Sequence, residues 1–310
     1  MLKILSIVGP TATGKTSFAL WLAEKLVTDQ RVAGVDLISA DSRQVYQELP
    51  IISGADIPMD LHPKIKIYGV AIIGVEDDWS VAHFRQFALP LIEKSLAEGR
   101  LPIIVGGTGL YHRHLFNPEL DDQPGPDLQL RKELADKSVV ELQTVLGQLS
   151  PSRLEAMNDS DRHNPRRLVR AIEQARHDGD RPTTNIDTIP VDFEQLTIGL
   201  TDTLENIEQK IKLRVEERWQ QGAIEEVKNL KEKAISDFPA LTSTGVKEIL
   251  QYLDGQLTEE QTKTAWALRE FQYAKRQLTW WKKEPEIHWY DVSEKGWNLQ
   301  ARQLMYSQIT

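Results

Sequence analysis

An apolar run, Lys3 to Val8, leads directly into Gly9-Pro10-Thr11-Ala12-Thr13-Gly14-Lys15-Thr16, and a helical pattern, Lys15 to Leu26, follows at once. This is the phosphate-binding loop G-x-x-x-x-G-K-[ST] in the strand-to-helix context that its mechanism requires. The glycines let backbone N–H groups converge on phosphate oxygens, and the helix N-terminus adds partial positive charge. Lys15 meets the phosphates, and the Thr16 hydroxyl is placed to ligate Mg2+. The loop fixes a strand end and a helix start at one point of the chain and predicts a di- or triphosphate ligand.

The rest of the first third continues that pattern. Asp36 to Ala40, Ile65 to Ile73 and Leu101 to Val105 read as buried strands, and Val81 to Leu96 reads as a helix. After Phe116 the composition changes. Pro118, Asp121, Asp122, Pro124, Gly125, Pro126 and Asp127 form a breaker-rich bridge, followed by polar helical stretches from Leu128 to about Ala175 that Pro151 interrupts. Strand character returns only at Leu196 to Leu200. Helical patterns then run from Leu204 to about Leu253 and from Glu259 to Lys282, with a final strand at Ile287 to Val292. The predicted fold class is α/β: a P-loop NTPase-like parallel sheet core with an inserted helical domain and C-terminal helices. Residues 1–117 and 196–310 form the core, and 118–195 form the mainly helical insertion.

With 310 residues, 40% hydrophobic and 27% charged, the chain matches an ordinary globular protein and excludes collagen-like, coiled-coil and mainly disordered readings. No stretch approaches the roughly 18 to 20 apolar residues of a membrane span. MLKILSIVGP reads as a buried strand and not as a cleaved leader, so the expected location is the cytoplasm. The absence of cysteine excludes disulfides and thiolate chemistry. A formal net charge of -9 disfavours broad electrostatic binding to nucleic acid. Two basic clusters oppose that veto: Arg162, His163, Arg166, Arg167 and Arg170, and a second of Lys263, Arg269, Lys275, Arg276, Lys282 and Lys283 around a single acid, Glu270. Either cluster can also be read as a solvated helix face.

The loop specifies charge and not chemistry. A GTPase would carry an N-K-x-D or T-K-x-D segment, which is absent; a small-molecule kinase needs an acid at a strand end, and Asp41 meets that need. On the segment Leu204 to Leu230, Leu204, Ile207, Ile211 and Val215 make an apolar stripe flanked by Arg214 and Arg218. The pair reads either as surface arginines beside Glu217 or as anion ligands.

Five blocks in order then resemble one family: the phosphate loop, Ala40 to Tyr46, Val105 to Tyr111, Asn164 to Glu173, and Ala274 to Trp280. Together they look like the ordered motifs of tRNA dimethylallyltransferases. The resemblance implies transfer of a dimethylallyl group from dimethylallyl diphosphate to the exocyclic amine of the adenine 3' of the anticodon, with Mg2+ as cofactor and the tRNA anticodon arm as partner. It implies diphosphate binding by Gly9, Pro10, Thr11, Ala12, Thr13, Gly14, Lys15, Thr16 and Arg218, with Thr16 on the metal. Asp41 is the implied proton acceptor, and Thr11 and Arg218 are the other implied catalytic residues. Asp41, Ser42, Arg43, Gln44 and Thr108 are the implied readers of the extruded adenine and its flanks. Further tRNA contacts are implied for Arg131, Arg166, Arg167, Leu168, Val169 and Arg170, and for the turn holding Thr242, Gly245 and Lys247. Trp280 and Trp281 are read as packing aromatics.

The sequence departs from the family pattern at Asp56, where the expected Lys is missing, at Tyr68 in place of a His region, and at Val246 and Phe271. These bear on the fit to tRNA or to the prenyl chain. A small-molecule kinase, an adenylate isopentenyltransferase and an inert tRNA- or phosphate-binding module remain as other readings. The chain is expected to be a monomer and free of membranes.

Overall fold

The computed structural model describes residues 4–55, 57–58, 60–117, 125–177, 194–233, 239–284 and 286–309. The bridge residues 118–124, Lys3 and the departure at Asp56 lie outside the described residues. The chain divides into two compact units, Met1–Phe116 with Asp192–Thr310, and Asn117–Val191.

In the first unit six strands form one sheet: β1 (Ile4–Val8), β2 (Val35–Ser39), β3 (Ile65–Tyr68), β4 (Leu101–Val105), β5 (Gln195–Thr201) and β6 (Ile287–Asp291), in the order β3-β2-β4-β1-β5-β6. Every pairing is parallel. β1, β2 and β4 are buried along their whole length, as Val/Ile/Leu-rich strands are when both faces of a parallel sheet are covered. The pleat divides their side chains between two cores. Leu5, Ile7, Leu37, Ile103 and Val105 pack under Phe18, Leu22 and Leu26 of the helix Lys15–Thr28. Ile4, Ile38 and Ile104 face the other way, against Phe84, Ala88 and Ile92 of the helix Val81–Ala97 and Tyr111 and Leu115 of the helix Gly109–Phe116.

Three sequence expectations change. The run Ile65 to Ile73 stops being a strand at Tyr68, because Gly69 and Ala71 take positive φ and carry the chain off the sheet edge. The stretch Leu204 to Leu253 is three helices, Leu204–Gln221, Ala223–Glu232 and Val246–Leu253. Gly222, at φ +109, ends the first by returning its N–H to the carbonyls of Arg218 and Trp219. Within that first helix Ile207, Ile211 and Val215 are buried as expected, whereas Leu204 is exposed. The C-terminal helix Trp297–Ile309 is additional: Ala301 and Met305 close the core beneath the Lys15–Thr28 helix.

The second unit has its own apolar core of Leu130, Leu134, Leu142, Leu146, Leu168, Ala171 and Ile172. These residues come from the helices Leu128–Leu134, Val139–Leu149 and Pro165–His177. Pro151 interrupts the helical stretch as expected: one helix ends at Leu149 and the next, Pro151–Ala156, starts at the proline, where its missing N–H has no partner to lose.

Candidate active site

Three strand ends converge at one edge of the sheet. β1 runs into the phosphate loop, β2 into Asp41 and β4 into Gly106-Gly107-Thr108. β1 and β4 are neighbours whose onward connections travel to opposite sides, which is where open α/β sheets form a ligand crevice. Gly9 shows how tightly the loop is seated: a Cβ there would lie 2.2 Å from the carbonyl oxygen of Leu200 on β5. Thr13 donates its hydroxyl to the Pro10 carbonyl at 2.9 Å, and the Lys15 ammonium donates to the same oxygen at 2.7 Å. Lys15 is thereby folded back over the loop and into the crevice.

A cavity of about 410 Å³ opens there, lined by Thr11, Lys15, Thr16, Asp41, Arg43, Gln44, Arg214, Arg218, Glu270 and Tyr273 among others. Among the described residues, four cationic ones line it: Lys15, Arg43, Arg214 and Arg218. Burial pulls the Lys15 ammonium down to about 8, with Asp41 opposing that shift and Arg214 adding to it. The helix Leu204–Gln221 turns its polar flank to the cavity, so the two arginines seen beside the apolar stripe line that cavity. Arg214 donates to the Thr11 hydroxyl at 2.6 Å and pairs with Glu270; Arg218, buried, stands 3.5 Å from the same Glu270 oxygen. The Thr16 hydroxyl, on the first helical turn beside Lys15, is a hard oxygen donor of the kind that Mg2+ favours and would be the residue to hold that ion with a diphosphate.

Asp41 sits across the same cavity. Its Oδ1 accepts the Arg43 N–H at 2.8 Å, an Asx-type turn that fixes the carboxylate direction. The Ser42 N–H points to the Thr108 hydroxyl at 3.4 Å. Gln44 links the Ser39 hydroxyl at 2.9 Å to the Gly54 carbonyl at 2.9 Å. Arg43 reaches the Pro239 carbonyl at 3.0 Å. Tyr273 lies behind this group; burial and the Asp41 charge push its hydroxyl up to about 12, partly offset by hydrogen bonds to Thr108 and Gln277.

Several expected contact residues lie elsewhere. Thr242 donates to the Pro239 carbonyl at 2.7 Å within a short 3-10 turn, Gly245 packs its backbone on Trp266, and Lys247 is exposed. In the second unit, Arg166 and Arg167 are exposed, with Arg167 paired to Asp161. Arg131 and Arg170 both bind Glu173, at 2.6 Å and 3.0 Å. Burial pushes the Glu173 carboxyl up, but the Arg131 and Arg170 hydrogen bonds outweigh it and hold the group below its ordinary range. Leu168 is fully buried, and its side chain packs in the helical core. Val169 is partly buried against the same core. Trp281 is buried as expected, and Trp280 lies under the Arg113 guanidinium at 4.8 Å.

Glu270, Tyr273 and Gln277 were missed as site residues. They recur at i, i+3, i+7 on the helix Glu259–Trp281, one face of which meets the loop. The signal was present: Glu270 is the lone acid of a basic run.

A fully parallel sheet with a phosphate loop at its switch point, and a cavity where a lysine and two arginines converge, defines a phosphate-loop α/β protein. A family model described as IPP transferase matches residues 44–284, and one described as isopentenyl transferase matches residues 2–71. The tRNA dimethylallyltransferase of Anoxybacillus flavithermus is 34% identical, over 94% of this chain and 91% of its own. That of Thermomicrobium roseum is 33% identical, over 97% and 89%. The chain belongs to the IPP transferase family, whose matched relatives carry the name tRNA dimethylallyltransferase. The crystal structure of the tRNA isopentenylpyrophosphate transferase of Bacillus halodurans gives a TM-score of 0.71 at 29% identity, covering 100% of this chain and 97% of that one. A eukaryotic dimethylallyltransferase, solved in crystallographic snapshots acting on tRNA, gives 0.79 at 24% identity, covering 99% and 79%, a likeness of fold. Among the described residues, no helix is long and apolar enough to cross a membrane.

Proposed function

We propose that this protein transfers a dimethylallyl group from dimethylallyl diphosphate to the exocyclic amine of the adenine 3' of the anticodon in tRNA. One observation carries the reading: Asp41, a proton acceptor, and the cations Lys15, Arg214 and Arg218 line a single cavity. The carbon–oxygen bond of the donor breaks and its electron pair leaves with pyrophosphate, whose growing charge those cations stabilise. The amine nitrogen forms the new carbon–nitrogen bond, and its proton passes to Asp41. That step is needed because the amine lone pair is delocalised into the purine. Mg2+, held by Thr16 and by substrate oxygens, supplies further neutralisation of the diphosphate when bound. Thr11, whose hydroxyl accepts from Arg214, lines the same cavity and is the loop residue assigned to the reacting centre.

The adenine must leave its stack to reach the cavity. Ser42, Arg43, Gln44 and Thr108 gather around Asp41 to receive it, and the exposed Arg166 and Arg167 supply phosphate contacts from the helical insertion, the tRNA-binding part of the chain. The tRNA substrate supports a cytoplasmic location. A small-molecule kinase or an enzyme prenylating free adenine nucleotide would leave the insertion and its exposed arginines without use. The test is incubation with bulk tRNA and dimethylallyl diphosphate, then nucleoside mass analysis. A prenylated adenosine supports the reading; unmodified tRNA alongside phosphoryl transfer from ATP sinks it.

A further inference from the structure

The basic run on the helix Glu259–Trp281 is interrupted by one acid, and that acid is buried in the wall of the diphosphate cavity. Glu270 is 3% exposed. Its Oε1 serves both arginines of the neighbouring helix, pairing with Arg214 and lying 3.5 Å from the nearest Arg218 nitrogen. The Nη2 of Arg214 that meets Glu270 also donates to the Thr11 hydroxyl at 2.6 Å. Two polar atoms of this group are left over: the Arg214 Nε and the Glu270 Oε2 are buried with no hydrogen-bond partner among the described residues.

Lys15, Arg214 and Arg218 line this cavity together with Arg43, and like charges so placed repel one another outward toward water, where flexible arginine stems are free to go. A single acceptor atom shared by both guanidiniums opposes that. Arg214 uses one nitrogen, Nη2, for Glu270 and Thr11 together, which leaves its Nη1 outside those two contacts. A charge-assisted, shared acceptor fixes geometry before the ligand arrives, which is what makes electrostatic stabilisation effective when charge develops.

We propose that Glu270 is a positioning residue of the diphosphate site, its Oε1 holding Arg214 and Arg218 as a pair aimed into the cavity. This rests on the prenyl-transfer reading only for the identity of the reaction; the diphosphate ligand can be tested without it. The carboxylate charge itself opposes the anion, so the useful part of the side chain is its acceptor atom. Glu270→Gln keeps that atom and removes the charge; Glu270→Ala removes both.

The experiment is calorimetric titration of inorganic pyrophosphate, with Mg2+ present, into the full chain and into E270Q, E270A, the R214A/R218A double variant and its E270A triple variant. E270A is expected to weaken pyrophosphate binding tenfold or more. E270Q should stay within about threefold of the parent or bind more tightly. In the R214A/R218A background E270A should change affinity less than twofold, because the residue acts through those arginines. An E270A variant that binds as well as the parent overturns the proposal, as does an E270Q variant as weak as E270A. A full E270A loss persisting without the arginines also overturns it and assigns Glu270 to the fold. A parent protein that binds pyrophosphate but prenylates no tRNA refutes the reaction and leaves the positioning role standing; no pyrophosphate binding by the parent overturns both.

Discussion

The side-chain carbonyl of Gln277 accepts the backbone N–H of Thr11 at 2.7 Å, joining the last long helix to the phosphate loop across 266 positions. The Gln277 amide nitrogen also presses on Gly107, where an added Cβ would lie 2.0 Å away. One buried amide therefore ties the turns after β1 and β4 together. Gln277→Leu should strand the Thr11 N–H and cost about 1 to 3 kcal/mol of stability. Thermal unfolding with and without pyrophosphate reads this: the loss should be larger in the liganded form, because the loop is what binds. An equal loss in both forms would make Gln277 a packing residue only.

Removing the cations should act on rate. Lys15→Ala and Arg218→Ala are each expected to depress turnover by about 2 to 4 kcal/mol, the range for donors that meet charge developing in the transition state. tRNA affinity, measured by filter binding, should survive both. Near-normal turnover by Arg218→Ala under saturating donor would return that arginine to a structural role.

Asp41→Asn preserves shape while replacing a proton acceptor with an amide, so single-turnover transfer should fall steeply with diphosphate affinity unchanged. A Mg2+ titration decides the matter. Rescue of rate and affinity together at high Mg2+ would move Asp41 to the metal and revive the kinase reading.

The Lys15 ammonium, held at about 8 by burial, predicts a pH dependence for binding. Below that value the free protein already carries the charge that the diphosphate needs. Above it, binding must first take up a proton, so affinity should fall by up to tenfold per pH unit until the ordinary lysine range is reached. Calorimetry in two buffers of different ionisation enthalpy should show proton uptake near pH 9 and little near pH 6.5. Lys15→Met should abolish the difference.

The arginines of the helical insertion separate into two groups with different expected effects. Arg166→Ala should flatten the salt dependence of tRNA binding by about one unit and leave stability unchanged, since that side chain is exposed. Arg131→Ala with Arg170→Ala should instead destabilise the unit by about 3 to 5 kcal/mol, because Glu173 would be left buried without its partners. A salt slope unmoved by Arg166→Ala would make that residue a solubilising one.

Much of this was legible in the chain because the informative features are local. A loop that must join a strand to a helix, and apolar runs at the ends of which Asp41 and Gly106 fall, are read from contiguous residues. Strand limits were right where an apolar run is bounded by breakers, as in Leu101–Val105 between Gly99 and Gly106, and wrong where an apolar stretch conceals a change of backbone region, as after Tyr68. Leu168 looked like part of a basic ligand face because its neighbours are arginines, yet helical periodicity turns it inward. Glu270 and Gln277 could not be assigned from spacing alone, since their partners lie on other elements, 56 and 266 positions away.

The insertion, with its own apolar core, is carried on the connection between β4 and β5, two strands that β1 separates in the sheet. No strand pairing depends on the length of that connection. The insertion and the cavity are therefore coded in separate stretches of the chain: the insertion can change in length or sequence while the sheet that builds the cavity is left as it stands.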